Sequence, residues 1–292
     1  MRTAVRLRVD LPVAVALWAS AFVGIRAALP SYSPLAVAAL RFTVASVVLV
    51  GFALVTRMPR PALRDVPALL ALGGVGVAGY QVTLGLGERH VSAGVAAFLV
   101  ATVPVMTALL ARFTLREGLG ARGWTGIGVS VAGVVVIAGS GPGGLAGIRA
   151  GAAGVALVLV AALCEAVFFI GQKPLLIRYS GLQVATWSIW SGTLFLLPGL
   201  PGAVHAVATA TPGATLSIGY LGVFPGAVAY LAWSRALARG AAARTTTALY
   251  LMPVGTLLIA WPWLGEVPGP GAVLGGALCL GGVVLANARR GA

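Results

Sequence analysis

Long apolar runs follow one another along the chain, and short breaks that hold most of the charged residues separate them. A membrane-spanning helix needs about 20 apolar residues, and ten runs approach that length. They cover Leu11–Leu29, Pro34–Thr56, Val66–Leu86, Ser92–Thr114, Gly123–Gly139, Ala150–Ile170, Leu182–Leu200, Thr215–Leu237, Ala241–Leu264 and Gly271–Ala288. Backbone groups in lipid must be hydrogen-bonded within their own segment, and these runs lack the alternating polarity of barrel strands. The pattern predicts an all-α membrane protein with ten transmembrane helices, numbered here as spans 1 to 10.

The composition favours a chain whose solvent is mostly lipid. Hydrophobic residues make up 59% of the 292 residues and charged residues only 9%, whereas soluble domains are about 25% charged. Arg2, Arg6 and Arg8 precede the first apolar run, as they would in a signal peptide. That run continues to Leu29 and is followed by further runs, so we expect a retained first helix.

The basic residues are distributed unevenly between alternate breaks. With the N-terminus in the cytoplasm, sixteen of the twenty fall on the cytoplasmic side, and the others are Arg26, Arg41, Arg89 and Arg149. By the positive-inside rule, we expect a multi-pass protein of the bacterial inner membrane with both termini cytoplasmic. The net charge of +14 does not indicate nucleic-acid binding, because the basic residues form no patch.

The chain contains an internal repeat with a constant offset of 149 residues. The matched pairs are Pro104 with Pro253, Glu117 with Glu266, Gly126 with Gly275 and Gly133 with Gly282. This repeat divides the chain into residues 1–140, with spans 1 to 5, and residues 150–292, with spans 6 to 10. Because five is an odd number, the second copy enters the membrane from the opposite side. Inverted repeats are typical of secondary transporters.

Four stretches carry a family resemblance. They are LWASAFVGIR (Leu17–Arg26), SPLAVAALRF (Ser33–Phe42), Val91–Glu117 and Ala248–Glu266. Together they resemble the EamA family of the drug/metabolite transporter superfamily. The resemblance implies a fold of two inverted five-helix repeats, a central cavity lined by spans 1, 3, 4, 6, 8 and 9, and export of amino acids or related metabolites. Arg26 departs from the frequent lysine of the family, and Glu165 is an acid where none is expected.

Polar and aromatic side chains in those spans are the candidate substrate-binding residues. They are Trp18, Tyr80, Gln81, Thr83, Phe98, Thr102, Glu165, Phe169, Tyr230, Thr246 and Tyr250. Glu165 stands out because an ionisable group deep in a span is costly and usually functional. It could bind a substrate ammonium or carry a coupling proton, or it could make a structural hydrogen bond. For each of the others, helix packing is the alternative interpretation.

A second set of residues is expected to form hinges or gates: Pro104, Pro253, Arg41, Glu117 and Glu266. Each proline removes a backbone donor within its span and frees a carbonyl four residues earlier. Because both halves contain such a proline, we expect a hinge, with simple packing as the alternative. Arg41 lies within span 2 and could form a paired structural or gating cluster with Arg26 and Glu88. Glu117 and Glu266 each follow a proline-containing helix and could anchor helix ends or act as gate partners.

No nucleotide-binding P-loop motif is present, so transport would be secondary or facilitated. Cys164 and Cys279 lie within apolar runs and the two histidines stand alone, so we expect no metal, no cofactor and no enzymatic activity. The sequence predicts a secondary exporter of amino acids or related metabolites. The alternatives are an importer or equilibrative carrier of another solute, such as a drug, a sugar or a nucleotide-sugar-like molecule, and a non-transporting scaffold. The expected partners are a small-molecule substrate and the lipid bilayer, in a monomer or a homodimer.

Overall fold

All regular structure in the described part of the chain is helical. A computed structural model describes residues 2–114, 120–139, 144–239 and 248–287. The α-helices are α1 Arg2–Ala28, α2 Pro34–Val55, α3 Val66–Leu72, α4 Tyr80–Gly87, α5 Ala93–Val100, α6 Val103–Thr114, α7 Ala121–Gly139, α8 Gly144–Gly171, α9 Lys173–Leu176, α10 Gly181–Leu196, α11 Leu200–Val207, α12 Pro212–Val223, α13 Ala229–Arg239, α14 Met252–Leu264 and α15 Pro270–Asn287.

Among the residues that the structure describes, six helical segments are long and apolar enough to cross a membrane. They are Val9–Ala28, Pro34–Val55, Leu63–Gly87, Ala93–Leu110, Gly151–Leu176 and Pro212–Trp233. Three shorter apolar helices cover Ala121–Ile137, Met252–Leu264 and Pro270–Leu285. Large apolar side chains remain exposed on the outside, for example Leu216 and Leu258, as lipid contact requires. The prediction of an all-helical membrane protein is therefore confirmed, while the count of ten spans stays a prediction.

Hydroxyl side chains determine where several helices begin. Ser33 precedes α2, and its Oγ accepts a hydrogen bond from the Ala36 N–H at 3.2 Å. Ser92 caps α5 and Thr211 caps α12 in the same way, and Ser180 forms a reciprocal capping box with Gln183 at the start of α10. A hydroxyl at this position satisfies one of the free N–H groups of the first turn.

Spans 4 and 9 are interrupted just before their prolines. Helix α5 ends at Val100, and α6 begins at Val103 with Pro104 as its second residue. In span 9 a short 3₁₀ turn, Ala248–Leu251, leads into α14, whose second residue is Pro253. The sequence predicted a hinge at each of these prolines. The structure starts a new helix at each proline, where the missing N–H costs nothing.

Spans 3 and 8 each contain a widened π-helical turn. These turns cover Gly73–Gly79, directly before Tyr80, and Phe224–Val228, directly before Ala229 and Tyr230. In a π-turn the backbone hydrogen bonds connect residues five apart, so the helix face shifts at that point and such turns often accompany functional sites. The same irregularity thus precedes a tyrosine in both halves of the chain.

Helices α7 and α15 pack along a seam of small residues. A β-carbon on Gly133 would lie 2.5 Å from the Gly275 carbonyl oxygen, and one on Gly282 would lie 2.5 Å from the Gly126 oxygen. Glycine is therefore required for this approach. Gly126, the earlier glycine of α7, faces Gly282, the later glycine of α15, and Gly133 faces Gly275. The two helices therefore run antiparallel.

A reciprocal contact lies in the middle of this seam. The Ser130 hydroxyl donates to the Cys279 carbonyl at 3.1 Å, and the Cys279 thiol donates to the Ser130 carbonyl at 3.5 Å. These residues are 149 positions apart, which is the offset of the sequence repeat. Cys279 is thus a buried free thiol with a structural role.

Candidate functional site

Glu165 lies on the inward face of α8. Val158, Ala161 and Ala162 are fully buried on this face, whereas Val160 and Leu163 are exposed on the opposite side, as the 3.6-residue period requires. Protein surrounds the Glu165 carboxyl, yet the side chain remains partly accessible. Within the described part of the chain it has no hydrogen-bond or ion-pair partner. The prediction that Glu165 binds substrate stays a prediction, and its position on the inward face is what such a role requires.

Helix α4 brings Tyr80 and Gln81 between α2 and α8, because it packs against both. The Gln81 Oε1 accepts a hydrogen bond of 2.9 Å from Arg41 Nη1. Arg41 is only 4% exposed, and its Nε has no hydrogen-bond partner. The sequence grouped Arg41 with gate residues, but the structure joins it to a candidate substrate-binding residue.

Aromatic rings from α1 and α13 form the neighbouring part of the site. The Trp18 and Tyr230 rings meet edge-on with centroids 5.3 Å apart, and Trp233 lies 5.1 Å from Trp18. The Trp18 indole N–H donates to the Pro225 carbonyl at 3.3 Å. That carbonyl belongs to the π-turn of span 8, so the irregular turn positions the tryptophan.

Tyr80 and Tyr230 connect the two charged groups of the site. Each tyrosine interacts electrostatically with both Glu165 and Arg41, and the two tyrosines interact with each other. We call these six residues the central group: Trp18, Arg41, Tyr80, Gln81, Glu165 and Tyr230. It therefore combines one acid, one base, an amide and three aromatic rings contributed by both halves of the chain.

The structure does not bring the other candidates into the central group by direct contact. Thr83 and Thr102 donate to their own helix backbones, at Gly79 and Leu99. The Phe98 ring packs against Gly276 of α15, and Phe169 contacts Phe168. Of the remaining predicted residues, Glu117 and Thr246 lie outside the described residues, and only the backbone of Tyr250 is described.

At one end of the bundle, which we call the Glu266 end, an ion pair connects the two halves. The Arg26 Nε lies 2.9 Å from Glu266 Oε1, and Arg26 Nη1 donates to the Glu88 carbonyl. The other Glu266 oxygen accepts from the Ala93 N–H at 2.9 Å, at the start of α5. The favourable helix dipole adds to this contact. Glu266, which the sequence proposed as a gate residue, thus joins spans 1 and 4.

Glu88 lies beneath this ion pair, one residue beyond the apolar segment Leu63–Gly87. Its side chain is fully buried, and neither carboxyl oxygen has a hydrogen-bond partner. Burial raises the Glu88 pKa well above its ordinary value, and Glu266 raises it further, while Arg26 and Arg41 act in the opposite direction. A cavity of about 650 Å³ opens beside the pair. Its wall includes Arg26, Arg89, Thr211, Ser217, Trp263 and Glu266.

At the opposite end, which we call the Asp65 end, a second polar cluster connects the halves. The Asp65 Oδ1 lies 2.7 Å from Arg178 Nη2, and its Oδ2 accepts from the Tyr179 hydroxyl at 2.7 Å. The same hydroxyl accepts from the Ala62 N–H at 3.0 Å. The Tyr179 ring packs edge-on against Trp187 at 4.8 Å. All polar atoms named here are paired.

A family model, the EamA-like transporter family, matches residues 11–139 and 152–288. The chain belongs to the EamA-like transporter family. The resemblance inferred from the four sequence stretches is therefore confirmed, and the chain is a multi-pass membrane transporter.

Several curated relatives support the EamA assignment. The chain is 43% identical over 279 residues to the "Probable terminal-alkyne amino-acid exporter" of Streptantibioticus cattleyicolor, covering 96% of this chain and 92% of the relative. It is 38% identical to the "Uncharacterized transporter YdfC" of Bacillus subtilis, with coverages of 96% and 90%. The "Uncharacterized inner membrane transporter YedA" of Escherichia coli is 28% identical, with coverages of 86% and 80%.

A solved structure described only as "Crystal structure of protein" shares the fold. It superposes with a TM-score of 0.62 over 98% of both chains, at 17% sequence identity. At this identity the likeness concerns the fold alone.

Sequence reasoning on this EamA chain missed the Asp65 cluster. One signal was available, since the chain has only six acidic residues. An acid in a loop rich in arginine, such as Asp65, is then a candidate ion-pair partner. The identity of its partner, Arg178, depends on tertiary structure and was not visible in the sequence.

Proposed function

We propose that this EamA-family transporter exports amino acids or related small metabolites across the bacterial inner membrane by secondary alternating access. The observation that carries the proposal is the 43% identity, over almost the full length of both chains, to a relative named as an amino-acid exporter. The central group supports it, because an acid, a base and aromatic rings inside the bundle match the groups of an amino acid.

The proposal includes ten spans in two inverted halves, residues 1–140 and 150–292. Three recurring features support this arrangement: the π-turn before Tyr80 and Tyr230, the helix start at Pro104 and Pro253, and the antiparallel seam between α7 and α15. Two halves of the same shape and opposite direction can exchange inward-open and outward-open forms around a fixed site.

The proposed orientation places both termini in the cytoplasm, because this arrangement puts sixteen of the twenty basic residues on the cytoplasmic side. The Glu266 end then faces outward and the Asp65 end inward. A reporter that is active only in the cytoplasm is expected to work when fused after Arg64 and to fail when fused after His90. The opposite pattern would reverse the orientation.

The transport proposal is tested with the purified full-length chain in proteoliposomes. We would load the vesicles with labelled L-leucine or L-propargylglycine, an amino acid with a terminal alkyne, and measure efflux with and without a pH gradient. We expect saturable efflux that exceeds that of empty vesicles. Absence of flux for every amino acid in a broad panel would contradict the proposal, and flux only in the uptake direction would favour an importer.

Glu165 provides the sharper variant. If its carboxyl binds the substrate ammonium or carries a proton, Glu165→Gln should reduce flux or flatten its pH profile while expression and thermal stability stay close to the parent. The matched control is Cys164→Ser, one residue away on the same helix, which should leave both unchanged. An unaltered flux and pH profile in Glu165→Gln would remove Glu165 from the mechanism.

A further inference from the structure

Arg41 is a buried cation without a matching anion. Its guanidinium makes one hydrogen bond to the neutral Gln81, and its Nε is unpaired. No carboxylate of the described residues lies within ion-pair distance of it; Glu88 acts on it only at longer range. A buried charge without a partner is strongly destabilising. The guanidinium also lies over the Phe42 ring, 5.2 Å from its centroid, but a ring does not neutralise the charge. A bound anion would therefore stabilise Arg41.

Glu165 is an acid without a cation partner among the described residues, the reverse of Arg41. It lies on α8, whereas Arg41 lies on α2, and α4 packs against both helices. Glu165 lies on the inward face of α8, remains partly accessible, and has no cation within ion-pair distance among the residues described. Its position is near the middle of the apolar segment Gly151–Leu176. An acid there also needs a partner, or a proton, to offset the loss of hydration.

Arg41 and Glu165 form no ion pair with each other, although Tyr80 and Tyr230 are each near enough to interact electrostatically with both. Two opposite charges are thus held apart inside one bundle. This arrangement is incomplete as protein structure, but it is complementary to a small molecule that has a negative and a positive end.

We propose that Arg41 and Glu165 are the two ends of one binding site for a zwitterionic α-amino acid, with Arg41 binding the carboxylate and Glu165 the ammonium. This inference rests on the proposed amino-acid transport and assigns the groups that would recognise the substrate. The guanidinium is a planar fork that suits a carboxylate. Gln81, by accepting from Nη1, fixes the orientation of that fork, and is a positioning residue.

Tyr80 and Tyr230 have a defined part in this site. Phenolic hydroxyls both donate and accept hydrogen bonds, so they can contact either end of the substrate. The Trp18 ring, edge-on to Tyr230, supplies apolar surface for a side chain. The site therefore recognises the amino and carboxyl groups through charges and hydrogen bonds. It contacts the substrate side chain only through apolar surface.

The test removes one end of the substrate at a time. Three probes share one side chain: L-leucine, its decarboxylated form 3-methylbutylamine, and its deaminated form 4-methylpentanoate. The parallel L-propargylglycine series uses but-3-ynylamine and pent-4-ynoate. Whichever amino acid the parent moves faster is labelled, and the two truncated probes compete for its binding to the purified full-length chain. We expect the parent to bind the amino acid about tenfold or more tightly than either truncated probe.

Replacing each charged residue should remove the preference for the amino acid over the probe that lacks the group bound by that residue. Arg41→Gln is expected to weaken amino-acid binding about tenfold or more, and to bind the amine as well as the amino acid. Glu165→Gln should weaken amino-acid binding to a similar extent, and should bind the carboxylic acid probe as well as the amino acid. The two variants thus predict opposite changes in selectivity, which a general loss of structure would not produce.

A second variant keeps the test decisive if Arg41→Gln fails to fold. Gln81→Glu replaces the amide with a carboxylate beside the Arg41 guanidinium, where it should displace the substrate carboxylate and reproduce the selectivity of Arg41→Gln. Gln183→Glu, the same substitution in the capping box of α10, is the control and should bind as the parent does.

The outcomes separate the two proposals. If the parent transports an amino acid but Arg41→Gln and Gln81→Glu keep its preference over the amine, the assignment of Arg41 is wrong and the transport proposal stands. If Glu165→Gln keeps the preference over the carboxylic acid, the assignment of Glu165 is wrong. If the parent neither binds nor moves any amino acid, both proposals fail.

Discussion

The two ends of the bundle are held by similar ion pairs but differ in what surrounds them. At the Asp65 end, one carboxylate has one arginine and one tyrosine as partners, and both of its oxygens are used. At the Glu266 end, Arg26 meets Glu266, but a second acid, Glu88, lies buried nearby with both oxygens unpaired. The first cluster is complete, whereas the second contains an acid that competes for the same cation.

This difference indicates which end can change. An ion pair with all partners satisfied gains nothing from rearrangement. Where two acids compete for one arginine, loss of a proton from the buried acid changes the balance, because the new charge attracts Arg26 and weakens its bond to Glu266. The sequence-based prediction of a gate at Glu266 is thus best tested by treating the two ends as a matched pair.

The largest effect is expected from breaking the Arg26–Glu266 pair. A charge-assisted hydrogen bond contributes about 1.5–3 kcal/mol, so its loss should increase the open population at this end about tenfold or more. In a variant without native cysteines, Ser217→Cys in the cavity wall reports opening through its rate of labelling by a membrane-impermeant thiol reagent. Arg26→Gln should accelerate labelling by about that factor. Equal rates in both backgrounds would mean that the pair is not a gate.

A smaller effect is expected from Glu88→Gln. Because burial raises the Glu88 pKa in the folded state, its contribution to stability is present below the ordinary carboxyl pKa of about 4.3. That contribution is lost as the pH rises through the raised folded-state pKa. Between the ordinary carboxyl pKa and the raised folded-state pKa, the thermal stability of the parent should therefore fall more steeply with pH than that of Glu88→Gln. The groups facing Glu88 are Arg26, Glu266 and Arg41.

The measurement is the melting temperature of the detergent-solubilised chain across that pH range. Thr83→Val, which removes a hydroxyl that donates to the backbone of its own segment and to no carboxyl group, serves as the control and should keep the slope of the parent. Identical slopes for the parent and Glu88→Gln would show that Glu88 does not titrate within the folded chain.

The smallest effect is expected at the Asp65 end. Tyr179→Phe removes the hydroxyl that connects Asp65 with the Ala62 N–H, which should lower the free energy of unfolding by about 1 kcal/mol. When Tyr179→Phe is combined with Ser217→Cys, the labelling rate from the Glu266 side should not change, because the partners of Arg26 are untouched. A change in that rate comparable with the effect of Arg26→Gln would contradict the distinction between a fixed and a changeable end.

The periodic features of this chain could be predicted from sequence. Apolar runs located the helices, and the run that begins at Pro34 starts where α2 begins, because such a signal is local. The helix start at Pro104 was visible only as an irregularity, since a proline in a span predicts disruption but not its form. The π-turns were not predicted, because no residue type specifies a turn that is widened by the packing around it.

The candidate site divides in the same way. Glu165 could be identified because a lone acid in an apolar run is conspicuous in any sequence. The partnership of Arg41 with Gln81 could not, because these residues lie on different helices and meet only when α4 packs against α2. The sequence contained both residues but not the contact between them, on which the proposed binding role of Arg41 rests.

The Ser130–Cys279 contact has a geometrical consequence for any measurement of motion. Its two members occupy equivalent positions of the repeat, so the operation that interchanges the halves carries this contact onto itself. If transport exchanges the shapes of the halves as proposed, a distance between equivalent positions, such as this one, returns unchanged, whereas a distance between non-equivalent positions takes two values. Distance probes placed elsewhere in the molecule can therefore be measured relative to the Ser130–Cys279 contact, which serves as a fixed reference point.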